Sequence, residues 1–570
     1  MKTGLIESKV WYAILICLYA LLTIVFFVFP VLGHFGEVLL GTGTYRHDAV
    51  LNAGILEWGY RSIWSSDLRL FDWPPGFPLR GTLAATENLV GWQLFYSPLR
   101  AFGASVAASY NVALLSSLVI SAAGCAALSQ RLGSSRVGAG FGGIVFAFNP
   151  FHVDHMIHLQ TMAVCWSPLA LLGLDMALET GSIRGLMTMA VSIVMTVLSG
   201  MYFGVFLALI LPTYAILCWL TGRHPFSVST SRAILVACLI SAVIISPILR
   251  PYLSYMHAYG RYPHSGAEVL LSALSLRSLL QTPFWLGSWR STMLATTDTG
   301  GFASAFPGVV TLGLALVAVF RRQDKPSRQI TLAIAALACV CLVLALGPTL
   351  LLRRGQPVRG VAGLPLPGKI FLLVTAVRWP MRIYMYSVLS MGILAALGIT
   401  QWLGATRSRR RPLLFTLLLG VLLVELRPSK WFIEHSARVT NPTRMSDAYS
   451  FLAREKNRGG VVELPIKMDS GLATPFATRY AYGSAGHLRG VIAFHGSMFP
   501  PLLDSLRRST YDLPRPEALA LMEKNGVTRL LIHNDLMSVD SSNILVRSLL
   551  ARGYPIVFRT NNSVVFSLSH

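Results

Sequence analysis

VWYAILICLYALLTIVFFVFPVL, residues 10–32, contains no charged side chain. A hydrocarbon layer about 30 Å thick is crossed by roughly 20 helical residues, so this run is long enough to span a bilayer. It is too long for a signal-peptide core and no small-residue cleavage site follows, which predicts a retained signal anchor. Working outward, a membrane-length window finds further apolar runs at 106–130, 137–152, 160–179, 185–199, 202–221, 233–255, 306–320, 329–350, 383–403 and 412–427. The expected fold is mostly α, a polytopic transmembrane helical bundle of about eleven spans. Composition agrees: 54% of residues are hydrophobic and 13% charged, where soluble domains carry about 25% charged residues. A purely soluble enzyme, a disordered chain and a low-complexity chain are excluded.

The formal charge of +23 sits mostly at the ends of the apolar runs, which points to membrane orientation rather than to nucleic acid. With Lys2 and Lys9 on the cytoplasmic side, alternate short loops are basic: Arg131 and Arg136, Arg184, Arg223 and Arg232, Arg321 with Arg328, and Arg407 with Arg411. Counting 88–103 as a crossing would reverse every later loop, so it is read as an interfacial helix. Segments 33–105, 152–160, 256–305, 351–382 and everything after Trp431 then lie outside. The tail, 431–570, holds 16 Lys+Arg and 11 Asp+Glu without a long apolar run. It is expected to be a soluble extracytoplasmic α/β domain, and 1–430 the transmembrane module. All seven cysteines fall in apolar segments, so neither a disulfide framework nor a thiolate metal site is expected.

Residues 1–430 contain only 14 acidic side chains, so each one placed outside needs a reason. Asp48, after Thr44-Tyr45-Arg46-His47, opens a helix-like stretch shortly after the first span. A carboxylate there can accept a proton from a hydroxyl nucleophile or hold a divalent cation, though a helix N-terminus also favours an acid. A second cluster, His152 to Gln160, places His152, His155 and His158 three residues apart and Asp154 four before His158. On a helix the imidazoles share a face and Asp154 pairs with His158, a set suited to metal, phosphate or proton relay. Third, Arg378-Trp379-Pro380-Met381-Arg382 puts two guanidinium groups on the outer side, where they suit a phosphate, snorkelling being the alternative. There is no Walker loop, GxGxxG, nucleophile elbow or HExxH. Energy for a transfer must therefore arrive with the substrate.

These pieces resemble the GT-C superfamily of polytopic glycosyltransferases, in its bacterial branch with a soluble carboxy-terminal domain. The resemblance rests on Asp48, the run Leu70-Phe71-Asp72-Trp73-Pro74-Pro75-Gly76, Phe148-Asn149-Pro150-Phe151 with its His-rich turn, and Ser199-Gly200-Met201-Tyr202-Phe203-Gly204. The Arg-Trp-Pro-Met-Arg run belongs to it, as do Val462-Glu463-Leu464-Pro465, His495-Gly496, Pro500-Pro501 and Gly526-Val527 in the tail. It implies a multi-pass protein of the bacterial inner (plasma) membrane that moves a sugar from a polyprenyl-phosphate donor to a glycan, lipid or protein acceptor, among membrane lipids and without nucleic acid. Inversion at the anomeric carbon is the usual outcome in the family. Asp48 matches the catalytic acid of the first loop. Asp154 and His155 lie where relatives carry a second acidic motif that binds a divalent metal, Mg or Mn, here with histidine in place of a paired acid. Arg378 and Arg382 are placed to hold the donor phosphate, with His47, His158 and Gln160 as further substrate contacts.

Two rival classes share many of these features. A flippase or transporter of a lipid or polysaccharide precursor also needs many spans, but its charged groups gather at mid-membrane. A non-catalytic scaffold would leave Asp48 dispensable. For the tail, Tyr480, Tyr482, His487 and His495 suggest carbohydrate or acceptor docking, and a plain cap over the site is the alternative.

Overall fold

A computed structural model of the chain describes residues 2–41, 46–260, 266–283, 286, 304–353, 356–357, 366–373, 377, 379–405, 411–428, 436–455, 459–466, 475–496 and 500–568. Arg378 lies outside them. Seven of the described helical segments are long and apolar enough to cross a membrane: Lys9–His34, Val106–Arg131, Leu159–Thr180, Met201–Leu220, Val228–Tyr259, Lys325–Ala345 and Pro380–Gly404. Ile183–Ser199 and Val309–Phe320 are apolar but shorter. The chain is a multi-pass helical membrane protein. The apolar run at 137–152 is divided: its helix is Arg136–Ala147, and Asn149 then caps a new short helix, Pro150–Asp154, by accepting from the Phe151 N–H at 3.0 Å. Proline at the first helical position and asparagine at the cap start a helix rather than continue one. The segment 88–103 yields a nine-residue helix, Gln93–Ala101, too short to cross.

Small residues let the spans approach closely. A Cβ on Gly142 would come within 2.7 Å of the Gly392 carbonyl oxygen, and one on Gly185 within 2.7 Å of the Gly173 carbonyl oxygen. In lipid, where apolar surface gains little by associating, such backbone approach supplies packing between helices.

The tail is built on a four-stranded sheet. With β1 (Val38–Leu39) in the first loop and β2 (Ala437–Arg438) at the start of the tail, the sheet strands are β3 (Gly460–Leu464), β4 (Val527–His533), β5 (Ile556–Arg559) and β6 (Ser563–Ser567). Their order is β3-β4-β6-β5, the first pair parallel and the others antiparallel. β3 is buried along its whole length. Here Glu463 accepts from the Tyr449 hydroxyl at 2.6 Å and faces His533 Nε2 at 2.8 Å. Tail and first loop interlock: β1 pairs with β2 antiparallel, and Pro75 bridges Val491. The Pro475–His487 helix lies against the Arg46–Ile63 helix so closely that a Cβ on Gly54 would stand 3.1 Å from the Tyr482 Cα. Tyr480, Tyr482 and His487 are buried, Tyr482 against this helix and the other two inside the tail beside His533 and Tyr449, with the tyrosine hydroxyls donating to the Pro465 and Thr440 carbonyls. These three are core residues, not a carbohydrate platform.

Candidate active site

The Arg46–Ile63 helix carries Asp48 in its first turn, where the helix dipole favours a carboxylate. Further along, buried Glu57 accepts from Arg100 Nε at 2.8 Å, Arg61 Nε at 3.2 Å and the Tyr96 hydroxyl at 2.8 Å. That network fastens the helix to Gln93–Ala101. Its amino-terminal face meets the His-rich turn in two rungs. Asp48 Oδ2 lies 2.9 Å from His158 Nε2, and Asn52 Nδ2 donates to Gln160 Oε1 at 3.0 Å.

The turn takes a different shape from the helix read in the sequence. Its helix ends at Asp154, His155–Ile157 is a 3₁₀ turn, and His158 is extended (φ −108°, ψ 90°). Thr161 holds the bend by donating its hydroxyl to the His155 and His158 carbonyls. The three imidazoles therefore do not continue one helical face, and His158 reaches Asp48. His155 is buried and its Nδ1 donates to the Phe151 carbonyl at 2.8 Å. A carbonyl only accepts, so Nδ1 bears the proton.

Asp48 is the centre of the arrangement. Beside His158 on Oδ2, its Oδ1 has His495 Nε2 at 3.6 Å and His47 Nε2 at 3.9 Å. Burial disfavours the carboxylate, but the hydrogen bonds from His158 and His495 outweigh it and hold the carboxyl far below its usual range. Burial also pushes the His158 imidazole down, against the pull of Asp48 and aided by Arg382. The pair is thus best described as an ionised Asp48 accepting from a neutral His158 Nε2–H.

Arg382 is buried, with its guanidinium 5.4 Å from the Tyr202 ring centre and 5.6 Å from that of Trp379. Its charge acts on His155, His158 and Glu87, so it shares the surroundings of Asp48 from a distant part of the chain. Glu87 accepts from the Met201 N–H at 2.8 Å, capping the Met201–Leu220 helix. Burial raises its carboxyl above the usual range, partly offset by that N–H and by Arg382. The Ser199-to-Gly204 run thus marks the break between two helices where the first loop docks. Glu87 and Asn52 carried no local sequence signal, because their partners lie more than a hundred residues away.

Among the described residues, three metal-competent side chains with ligand atoms all within 4.8 Å of one another occur at Asp175, Cys218 and His224; Asp48, Asp154 and His155 are not among them. Asp175 is also gripped by two guanidinium groups, Arg131 Nε at 2.9 Å and Arg223 at 3.0 Å to each oxygen, which repel a further cation.

No family model matches the sequence, and no curated protein matches it. Solved structures do. The arabinofuranosyltransferase AftD from Mycobacteria aligns at TM-score 0.60 and 16% identity, covering 99% of this chain and 40% of its own. The chain shares the fold of this structure. ArnT from Cupriavidus metallidurans in the apo state aligns at TM-score 0.50 and 12% identity, covering 99% of this chain and 98% of its own. The present chain spans about two fifths of AftD, and at these identities the likeness is one of fold.

Proposed function

We propose that this protein is a glycosyltransferase that moves a sugar from a polyprenyl-phosphate donor to a glycan, lipid or protein acceptor on the outer side of the bacterial inner membrane, with inversion at the anomeric carbon. Residues 1–430 are the transmembrane module, with a cytoplasmic amino terminus, and 431–570 the extracytoplasmic domain. The observation that carries the reading is the 2.9 Å contact of Asp48 with His158, an imidazole that also feels the charge of Arg382 from a distant part of the chain.

Asp48 Oδ1 receives the acceptor hydroxyl. As that oxygen bonds to the anomeric carbon its proton becomes acidic and passes to the carboxylate, so a base held far down in pKa still suffices late in the step. The carbon–oxygen bond to the donor phosphate breaks with its electron pair leaving on the phosphate, whose charge Arg382, with Arg378 beside it in sequence, stabilises. His158 and Gln160 act mainly by fixing Asp48 and Asn52, and His47 flanks the acceptor position. Asp154 and His155 support the turn, and no step is routed through a metal.

The test supplies membranes containing the protein with a panel of radiolabelled polyprenyl-phosphate pentoses and hexoses. The wild type is expected to label an envelope acceptor and Asp48→Asn to lose that transfer. Full transfer by Asp48→Asn would remove the base. Donor translocation without transfer in any variant would indicate a flippase instead.

A further inference from the structure

One short segment of the tail reaches Asp48 itself. Residues 490–496 run Gly-Val-Ile-Ala-Phe-His-Gly, and the first loop clamps them. Gly76 and Phe77 N–H groups donate to the Val491 carbonyl at 2.9 and 3.1 Å, and the Val491 N–H returns a bond to the Pro74 carbonyl at 2.9 Å. Phe77 itself sits where Cβ atoms on Gly460 and Gly490 would stand, so two glycines of the tail form the slot that receives it. Phe494 then packs on Gly76, and Gly496 lies so near the Ala85 carbonyl that a Cβ would stand 3.0 Å from it. Between these two anchors, His495 is delivered to Asp48.

We propose that His495 is a positioning residue for Asp48, so that the tail completes the active site rather than merely covering it. The inference rests on the reading of Asp48 as the base. A carboxylate has two oxygens and rotates freely unless both are held. His158 takes Oδ2, while Oδ1 has His495 of the tail at 3.6 Å and His47 of the same helix at 3.9 Å. His495 Nδ1 is buried without a hydrogen-bond partner among the described residues. A neutral imidazole with its proton on Nδ1 would strand a donor there, whereas the tautomer with the proton on Nε2 strands only a lone pair, the smaller loss. His495 therefore presents Nε2–H to Oδ1. At 3.6 Å the contact is longer than a hydrogen bond, and an acceptor hydroxyl oxygen bridging the two atoms would stand beside them, about 2.8 Å from each. The same imidazole that orients Oδ1 thus borders the acceptor's place.

The experiment compares His495→Leu and His495→Gln with the wild type in full-length protein, using the transfer assay above. Loss of a positioning donor is expected to lower kcat about 10- to 100-fold in His495→Leu with little change in donor KM, and the glutamine amide to restore much of it. Wild-type kcat in His495→Leu would overturn the proposal. A second readout needs no turnover: carbodiimide attacks the protonated carboxyl, so labelling of Asp48, followed by peptide mass spectrometry, reports its protonation. The groups facing Asp48 are His47 on its own helix, His158 on the turn and His495 on the tail, and its charge also acts on Tyr110 of the Val106–Arg131 span. Removing His495 takes away a partner that favours the ionised form, so the labelling midpoint moves to higher pH in His495→Leu, and an unchanged midpoint refutes the contact. Phe77→Ala, which frees the strap without touching Asp48, is expected to reproduce the kcat loss; transfer unaffected by Phe77→Ala together with an unshifted midpoint in His495→Leu defeats the delivery route. The two readings separate cleanly. If Asp48→Asn abolishes transfer while His495→Leu does not, only the role of His495 fails; if Asp48→Asn retains transfer, the function itself fails.

Discussion

Asp48 and Asp175 are two shielded carboxylates at opposite ends of the span Leu159–Thr180, and they are partnered in opposite ways. Asp175 is completely buried and saturated: Arg131, Arg223, His224 and the Tyr214 hydroxyl all bond its two oxygens. Its principal partners are guanidinium groups, which stay charged at every accessible pH. Asp48 keeps 17% of its side chain exposed and has imidazoles for neighbours, with one close contact among the described residues, on Oδ2. A saturated carboxylate with permanent counter-charges makes a staple. One that is ionised, oriented and left with an open oxygen can do chemistry.

The largest expected effect breaks the comparison on function. Asp48→Asn is expected to reduce transfer about 10²- to 10⁴-fold, the range for removing a general base, while the unfolding temperature in detergent changes by only a few degrees. Asp175→Ala is the reverse case. It leaves Arg131 and Arg223 facing each other in a buried site, a loss of about 3–5 kcal/mol for a broken buried pair. The measurement is thermal unfolding by size-exclusion recovery, expected to fall sharply while transfer per folded molecule stays near wild type. If instead Asp175→Ala folds normally and lacks transfer, the staple and the site have been assigned to the wrong ends.

How much of this was legible in the sequence follows from how local each signal is. The spans follow from uncharged runs, and Asp48 stood out because acids are scarce in the first 430 residues. Arg382 was found by its oddity on the outer side. The His-rich turn was noticed, but its shape was not: an i, i+4 pairing of Asp154 with His158 presumes helix, and the Thr161 hydroxyl bonds that bend the chain involve no periodicity. Asn52, Glu87 and the strap that brings His495 to Asp48 were invisible as partners, because each contact joins segments more than a hundred residues apart. The tail tyrosines misled for a related reason, since aromatic residues among glycines describe a packed helix interface as well as a sugar platform.

A smaller change sharpens the functional half. Arg382→Lys keeps one positive charge but loses the planar fork and its contact with the Tyr202 and Trp379 rings. The expected outcome is a rise of about three- to tenfold in donor KM, read from initial rates at varied polyprenyl-phosphate sugar, with a smaller fall in kcat. An unchanged KM would leave the donor phosphate to other residues.

The smallest effect concerns pH and tests which member of the Asp48–His158 pair carries charge. A carboxyl held below its unfolded value, about 3.9 for aspartate, contributes stability that is fully present above that value and is lost as pH falls toward the folded one. The difference in unfolding temperature between wild type and Asp48→Asn should then stay level from pH 8 to pH 5 and shrink only below about pH 4. An imidazole raised by an ion pair behaves in the opposite sense: its contribution is present at low pH and fades as pH climbs past its folded value. Burial beside Arg382 pushes His158 down instead, so no such decay is expected between pH 6 and pH 8. A decay at Asp48 alone would make His158 the cation of the pair. The site would then hold an imidazolium that could share the donor's departing charge with Arg382, and the two ends of the span would be more alike than their partners suggest.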